Sequence, residues 1–120
     1  MSDVNYNGVF NIFLMKNKNK EENVSKKLDE IEMEMKNINC WSNNPPKFEF
    51  ASYLDAPSFE LWLQSVFLPN ARKAVITGEY PKKSQVGLIA MRQYNYHTYV
   101  EKTQTLLKLL YEFDEIINSK

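Results

Sequence analysis

The chain is poor in the residues that build reactive or stapled sites. It has one cysteine, Cys40, and one histidine, His97, in 120 residues. A single cysteine excludes an intrachain disulfide framework and fits a reducing, cytoplasmic setting. Neither residue sits in a spacing that resembles a metal-ligand set or a Cys–His nucleophile pair, so no metal, cofactor or catalytic residue is expected. Only three glycines occur, and none forms a phosphate-binding loop; no paired-carboxylate motif is present either. An excess of either charge is missing too. Fifteen Lys and Arg balance fifteen Asp and Glu, which removes the net-charge argument for nucleic acid or an anionic membrane, though local patches remain possible binders. No apolar run approaches the roughly 20 residues that span a bilayer. The early stretch GVFNIFLM has no basic residues before it and no small-residue cleavage signal after it, which makes it a poor signal peptide. A soluble chain without membrane contact is expected.

What the chain does have is apolar and aromatic material. Hydrophobic residues make up 43%, with seven Phe, seven Tyr and two Trp, enough for one core in a domain of this length. Residues 1–20 lack the sustained helical period of the rest of the chain and read as a poorly ordered leader or an extension; residues 21–120 read as a single helical domain. The alternative for the leader is an arm in which Phe10, Ile12, Phe13 and Leu14 dock on the bundle. The first clear helix is expected from about Asn23 to Ile38. Val24, Leu28, Ile31, Met35 and Ile38 alternate by four and three, a narrow stripe that needs a partner helix. Glu22–Lys26 and Glu32–Lys36 have the favourable acidic-first spacing.

From Trp41 to Pro57 the chain is polar and proline-bearing, and Pro45, Pro46 and Pro57 exclude a continuous helix. Trp41, Phe48, Phe50 and Tyr53 would pin this loop as anchors or, on the other reading, line a ligand site. A second helix comes next, capped by Asp55 or Ser58. It carries Phe59, Trp62, Leu63, Val66 and Phe67 on one stripe, with Leu61 and Leu68 toward the opposite side. Pro69 has no N–H for the Ser65 carbonyl, so a kink is expected between Ser65 and Pro69. Gly78 should stop the helix, and Pro81 prevents its resumption. Ser84 is the expected cap of a third helix bearing Val86, Ile89, Ala90 and Tyr94. The last helix is expected over about Thr98–Asn118, with Tyr99, Thr103, Leu106, Leu107, Leu110, Phe113 and Ile117 on one face. Four helices and no alternating strand pattern predict an all-α bundle with a proline-kinked second helix.

One combination of features goes further. Trp41 and Phe50, then Trp62-Leu63-Gln64 with Pro69 after it, a Tyr-Pro turn, a short third helix and an apolar fourth together resemble the YqcC-like family of small bacterial proteins, over about residues 20–118. That resemblance implies an asymmetric up-and-down four-helix bundle. It also carries a loose link to a tRNA pseudouridine synthase. Such synthases are similar to larger mixed α/β proteins with a catalytic aspartate, a platform that four helices do not supply. The sequence departs from the family early in the third helix, where relatives tend to have proline and acidic residues and this chain has LIAMRQY.

Two stretches are candidate interaction sites. The first is Trp62, Gln64 and Pro69, where a kinked helix can expose carbonyls, together with Trp41 and the second apolar face at Leu61, Leu68 and Val75. The competing reading is geometric: the bend lets one helix follow two neighbours. The second is the corner Arg92–Tyr99, where Tyr94, Tyr96 and Tyr99 could stack on bases or a peptide and Arg92 could pair with phosphate or carboxylate. Its competitor is an ordinary helix corner with tyrosine hydroxyls in water. The residues favour a non-enzymatic module that binds a protein partner; the alternative is an RNA-associated accessory factor linked to tRNA modification.

Overall fold

A computed structural model of the chain describes residues 3–45, 54, 56–96 and 99–119, with side chains from Lys20 onward. Four helical rods are present among these residues, and no strand. Helix α1 spans Asp3–Asn37. Helix α2 is composite, made of Phe59–Trp62, Leu63–Phe67 and Leu68–Thr77 in unbroken succession. Helix α3 spans Val86–Asn95, and α4 spans Gln104–Asn118 after a 3-10 turn at Glu101–Thr103. Contacts between the rods run in opposite chain directions. Lys20 and Lys27 of α1 reach the Ile117 carbonyl and Glu112 of α4. Arg72 of α2 reaches Asp29 and Glu32 of α1. The start of α3 meets Asp114 of α4, while Asn95 at its end meets Gln104. The fold is therefore an up-and-down four-helix bundle, as expected.

The α1 stripe is the spine of the core. Val24, Leu28, Ile31 and Met35 are all fully buried, and Ile38 packs on the edge of the core. Each such side chain contributes about 1.5–3 kcal/mol through removal from water. Leu106, Leu110, Phe113 and Ile117 of α4 and Leu63 and Leu68 of α2 share this core. Helical backbone continues N-terminally to Asp3, well before Asn23. The side chains of Phe10, Ile12, Phe13 and Leu14 lie outside the described residues, as do Pro46, Phe48, Phe50, Tyr53, Asp55 and His97.

The punctuation of α2 follows its local chemistry. Ser58, in extended backbone, accepts the Leu61 N–H at 3.0 Å and caps the helix. Gly78 ends it at φ +73°, donating its N–H to the Ala74 carbonyl at 2.8 Å. Left-handed backbone of that kind carries no steric penalty only for glycine.

Two sequence expectations need correction. Ser84 does not cap α3: the N-cap position belongs to Gln85, which makes no capping side-chain bond. Asp114 supplies the bonds from α4, accepting from Val86 N–H at 3.0 Å and Gly87 N–H at 2.7 Å, with Ser84 Oγ donating to it as well. A carboxylate at a helix N-terminus satisfies orphan donors and complements the helix dipole. Gly87 makes this approach possible, since a Cβ there would lie 2.8 Å from the Tyr111 Cα. Nor does Tyr99 join the buried face of α4; it is 67% exposed. Val100 is extended, and its carbonyl accepts from Thr103 Oγ1 and Gln104 Nε2. These bonds fix the helix start after Tyr99.

Candidate functional site

Where a kink was expected between Ser65 and Pro69, the helix carries a π turn over Leu63–Phe67. The Leu68 N–H donates to the Leu63 carbonyl, five residues back. In a regular α-turn the Ser65 carbonyl would face the Pro69 ring and find no donor. A wider turn absorbs this within a continuous rod, and it inserts one residue into the helical phase. That residue is worth about 100° of rotation. Everything after it faces a new direction.

Leu68 shows the consequence. Counted at the α-helical period it lies opposite Leu63 and Phe59; with the π turn it joins them and is 2% exposed. The expectation that Leu68 belongs to an open second face is therefore corrected. Leu61 is half-buried, and Val75 packs on the edge of the core. Trp62 and Phe67, also five apart, become stacked neighbours with ring centroids 5.9 Å apart. Phe59 also stacks with Trp62 at 5.9 Å, and Phe67 packs edge-to-face with Phe113 at 5.0 Å. Aromatic pairs at such separations add to simple area burial.

This aromatic ladder forms one end of an open cleft of about 300 Å³. The cleft lies between the second half of α2 and the start of α3, two elements that do not pack closely against each other. Ala71 and Ala74 of α2 leave its space, Ile89 of α3 forms the facing side, and Phe113 and Ile117 of α4 form its floor. Tyr80, Pro81 and Lys83 of the connecting segment border the mouth. The Tyr80 ring lies under the Lys20 ammonium at 5.3 Å, and its hydroxyl is buried without a hydrogen-bond partner among the described residues. Burial, reinforced by the nearby Glu21 carboxylate, pushes the Tyr80 phenol above its ordinary pKa and keeps it a neutral donor.

The other sequence candidates are dispersed. Gln64 is buried, and both ends of its amide are engaged: Oε1 accepts the Ser42 N–H at 2.9 Å and Nε2 donates to the Ser42 carbonyl at 2.6 Å. It clamps the segment after α1 onto α2. Trp41 is half-buried near that clamp, with the Lys36 ammonium 5.0 Å from its ring centroid. Pro69 is exposed on the outer face of α2. Of the corner residues, Tyr94 is a core residue, packed edge-on against Phe59 at 5.7 Å. Burial first, then the adjacent Glu60 and Cys40, push its phenol far above the ordinary range. It is not available to stack on a base. Arg92 and Tyr96 are exposed at the corner. Cys40 is half-buried and its thiol is pushed upward, by burial first and then by Glu60. A protonated thiol is a weak nucleophile.

Sequence reading named Trp62 but missed the cleft itself, because Ala71, Ala74 and Tyr80 carry no periodic signal. Two pairs of large apolar residues five apart, with a proline immediately following, would have pointed to a π turn. No group of three or more His, Cys, Asp or Glu suited to a metal occurs among the described residues. None of the described helices is long and apolar enough to cross a membrane.

The arrangement is that of a small helical module with an apolar cleft beside a distorted helix. The chain belongs to the DUF446 family, described as tRNA pseudouridine synthase C, whose model matches residues 23–116. That span opens one residue before Val24, where the buried stripe of α1 begins. No curated protein and no solved structure matches the chain.

Proposed function

We propose that this protein is a non-enzymatic, cytoplasmic interaction module that docks an apolar segment of a protein partner in the cleft between α2 and α3. The supporting observation is the cleft itself: Trp62, Phe67, Ile89 and Phe113 line an open space walled on one side by alanines. Binding hot spots pair a large anchor residue with such a well-packed, desolvated recess. The YqcC-like resemblance and membership of DUF446 are, on this reading, two descriptions of one family.

The family description names a tRNA pseudouridine synthase. The two aspartates whose side chains are described argue for an accessory role over a catalytic one. Asp114 is the one aspartate buried among the described residues, and its oxygens hold the start of α3. Asp29 is paired with Arg72. Neither is poised as a nucleophile. The runner-up, an RNA-associated factor, draws on that description and on exposed Arg92 and Tyr99 at the α3–α4 corner.

Ala74→Phe fills the cleft from one wall without altering a core residue. In affinity capture from native cells, the wild type should retain a discrete protein that Ala74→Phe loses while keeping its melting temperature. Capture that vanishes after ribonuclease, or that Ala74→Phe leaves intact, would overturn the reading.

A further inference from the structure

The cleft is apolar in its depth but not neutral at its mouth. Among the described residues, Lys83 is the only charged one that lines it, and no carboxylate does. Asp114, which lies behind the start of α3, has its oxygens committed to Ser84, Val86 and Gly87. Tyr80 contributes a buried hydroxyl with no acceptor among the described residues, an unfavourable state for a donor that an incoming acceptor would relieve. Tyr80 Oη and Lys83 Nζ are thus donors beside an apolar recess whose lining holds no carboxylate; Glu21, near the Tyr80 phenol, and Lys20, over its ring, lie outside that lining. The volume of about 300 Å³ sits at the small end of ligand pockets, about 300–1,000 Å³. It suits one or two large side chains.

We propose that the cleft recognises a protein segment in which a large apolar side chain stands beside a carboxylate, the apolar group entering between Trp62 and Ile89 and the carboxylate engaging Tyr80 Oη and Lys83 Nζ. This rests on the docking reading above and adds the chemistry of the occupant. The argument for a peptide acid is charge complementarity: Lys83 in the lining and Lys20 over the Tyr80 ring outnumber the nearby Glu21 carboxylate, and with the neutral Tyr80 donor they match a single carboxylate next to an apolar anchor. A polyanion would call for a basic stripe, and Lys83 is the one basic residue in the lining among the described residues.

The test uses two blocked synthetic peptides, each with Phe and Leu one helical turn apart, followed by Glu in one and Gln in the other. They are titrated into the full chain at low salt and followed by NMR at the Trp62 indole and the Val66 and Ile89 methyls. The Glu peptide should perturb these signals and bind about three- to fivefold more tightly than the Gln peptide, the range expected of one partly exposed ion pair. Lys83→Gln and Tyr80→Phe should each reduce that preference and leave Gln-peptide affinity unchanged. Equal affinities for the two peptides would sink the carboxylate specificity and leave the docking reading standing. No shift with either peptide, while Ala74→Phe still abolishes partner capture, would also reject this occupant alone. A short single-stranded RNA that perturbs the same signals more strongly than either peptide would overturn both.

Discussion

Replacing Gly87 by alanine tests the packing of α3 on α4 with an unusually clear sign. Glycine is among the poorest helix formers, and Gly→Ala at an exposed helix position gains about 1 kcal/mol. Propensity alone therefore predicts a more stable protein. The structure predicts the reverse. A Cβ on Gly87 would lie 2.8 Å from the Tyr111 Cα, 2.9 Å from its N and 3.0 Å from Asp114 Oδ2. Ordinary contact begins at 3.4 Å, so the two backbones must separate by about 0.6 Å (3.4 − 2.8). Overpacking of this kind costs about 1–3 kcal/mol when backbone must move. The same separation stretches the bonds from Val86 and Gly87 N–H to Asp114, and hydrogen bonds to charged groups are worth about 1.5–3 kcal/mol each. Partial loss of those bonds, less the propensity gain, leaves a net destabilisation of about 2–3 kcal/mol. For a domain near this size the melting temperature should fall by about 8–15 °C. Thermal and urea melts followed by circular dichroism read both quantities. An unchanged or raised melting temperature would mean that α3 and α4 do not approach as closely as described, and the account of the Asp114 cap would fall with it.

Gln64→Ala removes both bonds to Ser42 and should cost about 1–3 kcal/mol, with faster hydrogen exchange at the Ser42 amide; protection equal to wild type would refute the clamp. Pro69→Ala should change the melting temperature little and leave the Phe67–Phe113 contact intact by NMR. A return to regular α-turns would rotate Leu68 out of the core, forfeiting about 1.5–3 kcal/mol, so loss of that contact would show that the proline alone holds the π turn. Glu32 gives a pH test. The Lys36 hydrogen bond, opposed by burial and helped by Arg72, holds its carboxyl below the ordinary value of 4.5. A depressed folded-state pKa stabilises above the unfolded value and loses that stabilisation as pH falls through the folded one. Because the partners are more than a third exposed, the contribution should stay below about 1 kcal/mol. Wild type should exceed Glu32→Gln in stability at neutral pH and lose the advantage in acid below 4.5; an advantage that persists at strongly acid pH would exclude the ion-pair explanation.

Periodicity alone made most of the bundle legible. The stripe Val24, Leu28, Ile31 and Met35 is buried as counted, since a straight helix with a strict apolar repeat has only one face to hide. Ser58 and Gly78 acted as cap and stop because their roles are local, set by a hydroxyl beside free N–H groups and by a backbone without Cβ. The cap of α3 was illegible for the opposite reason. Its carboxylate comes from Asp114, 27 residues beyond Gly87, and local sequence carries no record of that encounter.

The cleft was hidden by a single assumption, that each residue of α2 turns the helix by a constant angle. Pro69 was legible as a distortion, but a proline states only that a donor is missing, not how the chain compensates. A sharp bend would have kept the phase and left Leu68 opposite Leu63. The π turn instead keeps the rod continuous and advances its phase. That one change buries Leu68, stacks Trp62 on Phe67 and leaves Ala71 and Ala74 facing the gap beside α3. Core and cleft therefore share one cause: the extra residue that seats Leu68 in the interior also directs the small side chains of α2 toward the space where a partner's side chain would fit.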